Sequence, residues 1–330
     1  MKGTILDVGG IKVGHASDPE NGTGCTAILF EKPAAAGVNI CGFASGTREL
    51  DVLSPEHVTP GINGICLAGG SAYGLSAADG VMKFLEEQGI GYAARVAVVP
   101  IVPAAIIFDL SFRSAKVRPD AAMGYRAAQA ARSDELAQGS VGAGTGASVG
   151  KLFGQKGAMK SGIGSASLAA QDGLVVAALC VVNNLGDVLD YSTGKILAGC
   201  RHPETNEFVD VTRILAGAQK PPVFSVGENT NLALVCTNAK LDKVQANMLA
   251  RMAEAGFART LSPVHSTFDG DLIFAASTGE LPAEINRLGI LAAEVLGRAV
   301  NNAVLNADGL GGLPALKDLK AAVPERGGRP

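Results

Sequence analysis

A threonine at the mouth of an apolar run is the residue of this chain best suited to chemistry. In Gly227-Glu228-Asn229-Thr230-Asn231, followed by Leu232-Ala233-Leu234-Val235-Cys236-Thr237, a hydroxyl stands where a buried strand would begin. Breaking the Asn229–Thr230 bond would make Thr230 a new N-terminus carrying both nucleophile and base. Its free α-amine, with an ordinary pKa of roughly 7.7–8.0, takes the hydroxyl proton as the oxygen attacks a carbonyl. An internal peptide nitrogen cannot do this, so the cut would switch an enzyme on. Read locally, the commoner fate of Asn-Thr is a polar lead-in to a strand.

Three other places hold reactive groups. Lys151 ends the glycine run Gly139-Ser140-Val141-Gly142-Ala143-Gly144-Thr145-Gly146-Ala147-Ser148-Val149-Gly150. A phosphate loop would need glycine at Thr145 and a hydroxyl at Leu152, and no GxGxxG fits, so nucleotide binding is not expected. The run reads better as a tight backbone path that brings Lys151 to a cleft, the alternative being a solvated lysine. Asn183 closes the apolar run Leu174–Val182, where its amide could face a developing oxyanion or simply cap the turn Asn184-Leu185-Gly186-Asp187. Asp269-Gly270-Asp271 could orient an amine or bind a cation, but Asp-Gly is also a strong turn signal. Two nearby oxygens do not complete a metal shell, and His15, His57, His202 and His265 lack paired spacing, so neither metal nor cofactor is expected.

The elements that would carry these groups alternate in type. Strands are expected at Cys25–Phe30, Ile62–Ala68, Leu174–Val182 and Asp271–Ala275, and again after Thr230, with Asp187–Asp190 as a hairpin partner of Leu174–Val182. Ala94–Val99 and Ala104–Phe108 are further apolar runs. Helices are expected at Ser71–Gln88, Pro119–Leu136, Lys240–Ala258 and Ala283–Ala303. Residues 201–229 read as an exposed loop and Gly309–Pro330 as a tail or surface arm. Continuously apolar strands among helices imply a layered α/β architecture with sheets buried on both faces.

Composition agrees with a large packed core. The 330 residues are 47% hydrophobic and 18% charged, with 43 glycines and no tryptophan. A net charge of −3 without a basic stripe makes nucleic acid and anionic membrane poor partners. The start lacks a signal-peptide core and no apolar run looks long enough to span a bilayer, so a cytoplasmic protein is expected. Six cysteines without a CxxC read as buried small hydrophobes.

As an ordered set the motifs are specific. Gly10-Ile11-Lys12-Val13-Gly14-His15, Gly46-Thr47-Arg48-Glu49, Leu67-Ala68-Gly69-Gly70-Ser71-Ala72-Tyr73-Gly74-Leu75 and Val102-Pro103-Ala104-Ala105 precede Gly142–Lys151, Val182-Asn183, Asn229-Thr230 and Asp269-Gly270-Asp271. From about Gly10 to about Asn306 the chain resembles the L-aminopeptidase/D-esterase (DmpA-like) peptidase family, which includes nylon-oligomer hydrolases and β-peptidyl aminopeptidases. The resemblance implies an αββα sandwich (a single 1–330 domain) of the N-terminal-nucleophile-hydrolase type, cut before Thr230 into fragments 1–229 and 230–330 that stay together. It also implies homotetramers or larger and a small peptide or amide substrate. By the same resemblance Thr230 is the nucleophile, Asn183 the active-site Asn, and Lys151, Asp269 and Asp271 its surroundings. One departure stands out: Phe108 falls where family members have a tyrosine, with Tyr73 and Tyr125 as possible stand-ins. Two rivals remain at this stage, an ornithine-acetyltransferase-like acyltransferase, faintly suggested by Gly157-Ala158-Met159, and a non-catalytic relative that never cleaves.

Overall fold

A computed structural model of the chain describes residues 3–218 and 228–321. Its principal strands are β1 (Ile11–Asp18), β2 (Thr23–Ile40), β3 (Gly46–Arg48), β4 (Ile62–Ala68), β5 (Ala104–Ile106), β6 (Ile163–Ala169), β7 (Val175–Val181), β8 (Leu232–Ala239) and β9 (Leu272–Leu281). The packing helices are α1 (Ala77–Glu87), α2 (Ala121–Gln129), α3 (Lys243–Thr260) and α4 (Ile285–Leu305). Neighbouring strands run in the order β6-β7-β8-β9-β2-β4-β5-β3, with β1 also paired to β2.

β2 is shared between two sheets. Its first half lies antiparallel to β1 and β4, and its second half antiparallel to β9. Register with β4 slips between Leu29 and Ala34, across Glu31-Lys32-Pro33, where proline has no N–H to offer a ladder. Inward residues of the two sheets meet there: Ile28, Phe30, Ile65 and Leu67 from one, Leu179, Val181, Leu234 and Phe274 from the other. Residues of opposite parity face outward. Cys25, Ala27, Cys66 and Ala68 pack under α1 and α2, while Val176, Ala178, Val235 and Ile273 pack under α3 and α4. Helix, sheet, sheet and helix make the expected αββα sandwich, and its two buried sheets account for the unbroken apolar strands.

Several boundaries differ from expectation for local reasons. Ser71–Ser76 is a 3-10 turn before α1. Asp120 caps α2 through the Met123 N–H, and the helix stops before Arg132, whose backbone bonds to Val13 of β1. α3 starts at Lys243 because Asp242 and Gln245 form a capping box while Lys240 still donates to the Leu281 carbonyl. Asp187–Leu189 is not a hairpin partner of β7. It pairs with Ile196–Ala198 and Leu261–Ser262, anchored by the Asp187 carboxylate, which accepts from the Cys200 and Val211 N–H groups.

The segment before Thr230 is not wholly an exposed loop: Arg201 is buried, Val211–Gly217 is helical, and residues 219–227 lie outside those described. Nor is the C-terminal stretch a free tail. Leu313 is buried, the Pro314 carbonyl accepts from the Lys160 N–H at 2.9 Å, and Leu316–Ala321 is helical. Residues 322–330 lie outside those described. Contrary to the sequence reading, α4 has a span's length and composition, 21 residues that include an 18-residue stretch with a mean hydropathy of 1.3. Its apolar face, including Leu288, Ala292, Leu296 and Val300, is buried against the sheet. All six cysteines are free, five of them buried, as expected of small hydrophobes.

Candidate active site

Three strand ends and a glycine-rich strip converge. Asn183 follows β7, Thr230 precedes β8, and Asp269-Gly270-Asp271 precedes β9, which runs parallel to β8. The β8–β9 pairing is extended by a parallel bridge between Asn229 and Asp269, so Asp-Gly-Asp is a strand lead-in and not a hairpin turn. Thr230 is buried and donates its N–H to the Asn183 carbonyl at 3.0 Å. The Asn229 carbonyl takes two donors: the Thr230 hydroxyl at 2.6 Å and the Gly270 N–H at 2.8 Å. A Cβ on Gly270 would lie 2.8 Å from Thr230 Oγ1 and 2.6 Å from the Ala44 carbonyl, so only glycine fits between them.

The side chain of Asn183 is fixed at both ends. Its Oδ1 accepts from the Ser148 N–H at 3.2 Å and from Lys151 Nζ at 2.8 Å, and its Nδ2 donates to the Phe108 carbonyl at 3.0 Å. The glycine-rich strip therefore delivers Ser148 and Lys151 to Asn183, and it does so without a phosphate site. Gly150, with φ of +72°, allows the chain to pass so close to Cys200 that a Cβ there would lie 2.1 Å from its backbone N. Lys151 Nζ also lies 3.4 Å from the Asn183 and Glu228 carbonyls. Lys151 is half-buried and lines a cleft. Burial pushes the Lys151 pKa down to about 7, against the pull of Asp269, Glu228 and Asp109.

The two aspartates differ. Asp271 Oδ1 accepts from the backbone N–H and Nδ2 of Asn231, both at 2.8 Å, and its Oδ2 lies 2.9 Å from His265 Nδ1. Asn231 in turn accepts the Asn183 N–H at 3.0 Å and donates to Asn184 Oδ1 at 3.1 Å. Asp269 is tied to the Ser266 N–H and hydroxyl through Oδ2. Its buried Oδ1 has no hydrogen-bond partner among the described residues. Burial, and next the negative charge of Asp271, lift Asp269 to about 6.

A cleft of about 180 Å³ opens beside this cluster, lined in part by Phe108, Phe112, Ser148, Lys151, Glu228 and Leu313. Thr230 lies behind its wall, next to Asn183. Phe108 lines the cleft and brings no hydroxyl, and neither candidate stand-in is among the cleft's lining residues. Tyr73 is 60% exposed with Arg118 over its ring, and Tyr125 donates to Glu87 at 2.6 Å on the outer helix layer.

Sequence reading missed Asn231, His265, Asp109 and Lys160. Asp109, on the cleft wall, ends an apolar run as Asn183 does, and that signal could have found it. Its carboxylate accepts from the Thr23 hydroxyl at 2.8 Å and the Gly70 N–H at 2.7 Å, and burial lifts it to about 6. Lys160 is fully buried and donates to the Gly144, Ala147 and Ser161 carbonyls, pinning the glycine-rich strip. It is the last of three lysines in ten residues, and nothing local marked it as the buried one. His265 had none, since nothing near it in sequence marks its spatial neighbours.

A family model for peptidase family S58 matches residues 3–316. The chain belongs to this family. Over 346 residues it is 38% identical to an uncharacterized aminopeptidase of Mycobacterium bovis, covering 96% of this chain and 97% of that protein. It is 32% identical over 315 residues to the 6-aminohexanoate-oligomer endohydrolase of a Kocuria species, covering 89% and 84% of the two chains. Among solved structures, the L-aminopeptidase D-Ala-esterase/amidase of Ochrobactrum anthropi superposes with a TM-score of 0.74 at 18% identity, over 97% of this chain and 94% of that one. A Burkholderia β-aminopeptidase gives 0.71 at 23% identity, over 100% and 96%. The first of these is described as a variant of the Ntn-hydrolase fold, and the S58 chain shares that layered architecture. Its membership makes it a hydrolase of the aminopeptidase and amidase type.

Proposed function

We propose that this S58 hydrolase cuts itself between Asn229 and Thr230 and then uses Thr230 as an N-terminal nucleophile on amide bonds. One observation carries the reading: the Asn229 carbonyl is held between the Thr230 hydroxyl and the Gly270 N–H. That N–H is aimed where negative charge would develop, as in an oxyanion hole. In maturation Thr230 Oγ1 bonds to the Asn229 carbonyl carbon, the C–N bond breaks, and the proton passes to the departing amine. Water then hydrolyses the ester, leaving fragments 1–229 and 230–330. The freed end at Glu228 and Asn229 moves away and opens Thr230 to the cleft.

In turnover the α-amine of Thr230 takes the hydroxyl proton as the oxygen attacks the substrate carbonyl. The proton goes on to the leaving amine, and water releases the acid from the acyl-enzyme. Gly270 N–H and Asn183 support the oxyanion. Lys151 holds Asn183 and lowers the basicity of the amine, while Asp269 and Asp271 orient the donors around it. The mixed wall of Phe108, Phe112 and Leu313 beside Lys151 and Glu228 suits a short peptide or amide with an apolar body and a free amino end. The relatives' names point to amino-acid amides and ω-amino-acid oligomers as the first substrates to try.

The test compares wild type, Thr230→Ala and Thr230→Ser on amino-acid amides and 6-aminohexanoate oligomers. Hydrolysis by wild type, reduced turnover by the serine variant and none by the alanine variant are expected. Hydrolysis unchanged in Thr230→Ala, or acyl transfer to ornithine or glutamate outrunning hydrolysis, would contradict the proposal.

A further inference from the structure

His265 belongs to none of the motifs, yet it sits against the site in a left-handed backbone conformation, φ 54°. Histidine, with Asn and Asp, is among the non-glycine residues that adopt that region most often. Asp271 holds it there. The carboxylate Oδ2 accepts from the His265 backbone N–H at 3.2 Å and lies 2.9 Å from Nδ1. Taken as a carboxylate, Asp271 can only accept, and its oxygens already take donors from Asn231 and from the His265 backbone, so the proton of this contact is assigned to Nδ1. On the far side of the ring Nε2, which has no hydrogen-bond partner among the described residues, lies 3.5 Å from Glu254 Oε1 of α3, within ion-pair distance. A neutral ring would turn a lone pair toward that carboxylate, whereas an imidazolium turns an N–H.

The remaining groups around the ring fit a cation. Asp269 faces it from the same loop, and the Phe257 ring lies beside it, with centroids 6.3 Å apart. Cys41, just past β2, is pushed up to about 12 by burial and then by Glu254 and Asp271, so its thiol stays neutral at ordinary pH. Burial alone would lower the His265 pKa. The hydrogen bond that His265 donates to Asp271 and the charges of Asp271, Glu254 and Asp269 outweigh it and raise the value above the ordinary 6.5.

We propose that His265 is a positioning residue for the reaction, an imidazolium that bridges Glu254 and Asp271 and thereby fixes Asn231 and Asn183 beside Thr230. The inference rests on the reading of Thr230 as nucleophile. Asp271 selects the orientation of the Asn231 amide, with Nδ2 toward the carboxylate and Oδ1 toward the Asn183 N–H. An Asp271 that loses its bridge lets that amide turn, and Asn183 loses its register.

Two variants separate charge from fold. His265→Asn keeps a donor near the Nδ1 position and suits left-handed backbone, but cannot be charged. His265→Phe removes the donor while filling the volume. Wild-type kcat should fall along an alkaline limb as the ring loses its proton. His265→Asn should lose that limb and about 10- to 100-fold in kcat, with KM little changed, as expected for one charge-assisted bond. His265→Phe should lose more. An unchanged kcat and an unchanged limb in His265→Asn would overturn the proposal.

A second readout does not depend on turnover. In Thr230→Ala, imidazole nitrogen NMR should find both ring nitrogens protonated at pH 6.5, with deprotonation at higher pH and a lower midpoint after Asp271→Asn. A ring already mostly neutral at pH 6.5 would overturn the bridge whatever the activity. Hydrolysis that survives in Thr230→Ala would instead remove the nucleophile assignment, and the titration would still decide the bridge.

Discussion

Two donors meet on the Asn229 carbonyl, and both can be tested by single substitutions. Gly270→Ala puts a methyl 2.8 Å from Thr230 Oγ1, so it should block self-cleavage while leaving a folded chain, read as persistence of the uncut band. Asn183→Ala removes the amide that links Lys151, Ser148 and the Phe108 carbonyl. Loss of such an oxyanion-side donor should lower kcat by about 10²–10³, measured by steady-state hydrolysis. Lys151 predicts a pH effect on stability. Its pKa drops from 10.5 in the unfolded chain to about 7 in the folded one. Between those values the unfolded chain holds the extra proton, so stability rises with pH across that window and is lower below it. Lys160, also pushed down to about 7 by burial, acts in the same direction. Urea unfolding of uncut Thr230→Ala should show this slope from about pH 7 to 8.5, before the six cysteines, whose thiols burial pushes up, begin to ionise in the unfolded chain and reverse it, and Lys151→Met should flatten it. An identical slope in the double variant would contradict the assignment.

At the scale of elements, close backbone contact between helices is the constraint to test. A Cβ on Gly80 of α1 would lie 1.8 Å from the Ala121 carbonyl, and one on Gly124 of α2 would lie 1.8 Å from the Ala77 carbonyl. Gly80→Ala should therefore destabilise by about 1–3 kcal/mol through overpacking, seen as a lower Tm without loss of the self-cleavage site. These helices also show what sequence could and could not reveal. β4 was legible to the residue because Gly61 and Gly69-Gly70 bracket a buried run. β2 was half read, since Pro33 looks like a strand end and is in fact where the strand passes between sheets. β1 and β6 were missed because glycine, serine and histidine interrupt their alternation. At the site, Thr230, Asn183 and the Asp pair stand at the ends of apolar runs and Lys151 at the end of a glycine run, but locally these patterns read as strand lead-ins, turns and a solvated lysine, and it was the family resemblance that singled them out. His265 and Asn231 act through neighbours that only the fold brings near, so the linear pattern held no trace of them.

At the scale of the molecule, the two segments on either side of Asn229–Thr230 are interleaved. β8 pairs with β7, β9 pairs with β2, and α3 and α4 cover the outer face of that sheet. After cleavage both antiparallel ladders and the apolar layer beneath them would have to break before the fragments could part. They should co-elute under native conditions and separate only in denaturant, whereas separation on a native column would contradict the interleaved core. The central claim is tested most directly by intact mass under denaturing conditions for wild type and Thr230→Ala. The account predicts two wild-type fragments, the smaller beginning at Thr230, and a single 33.4 kDa chain from the variant. A single uncut chain from both proteins would contradict it.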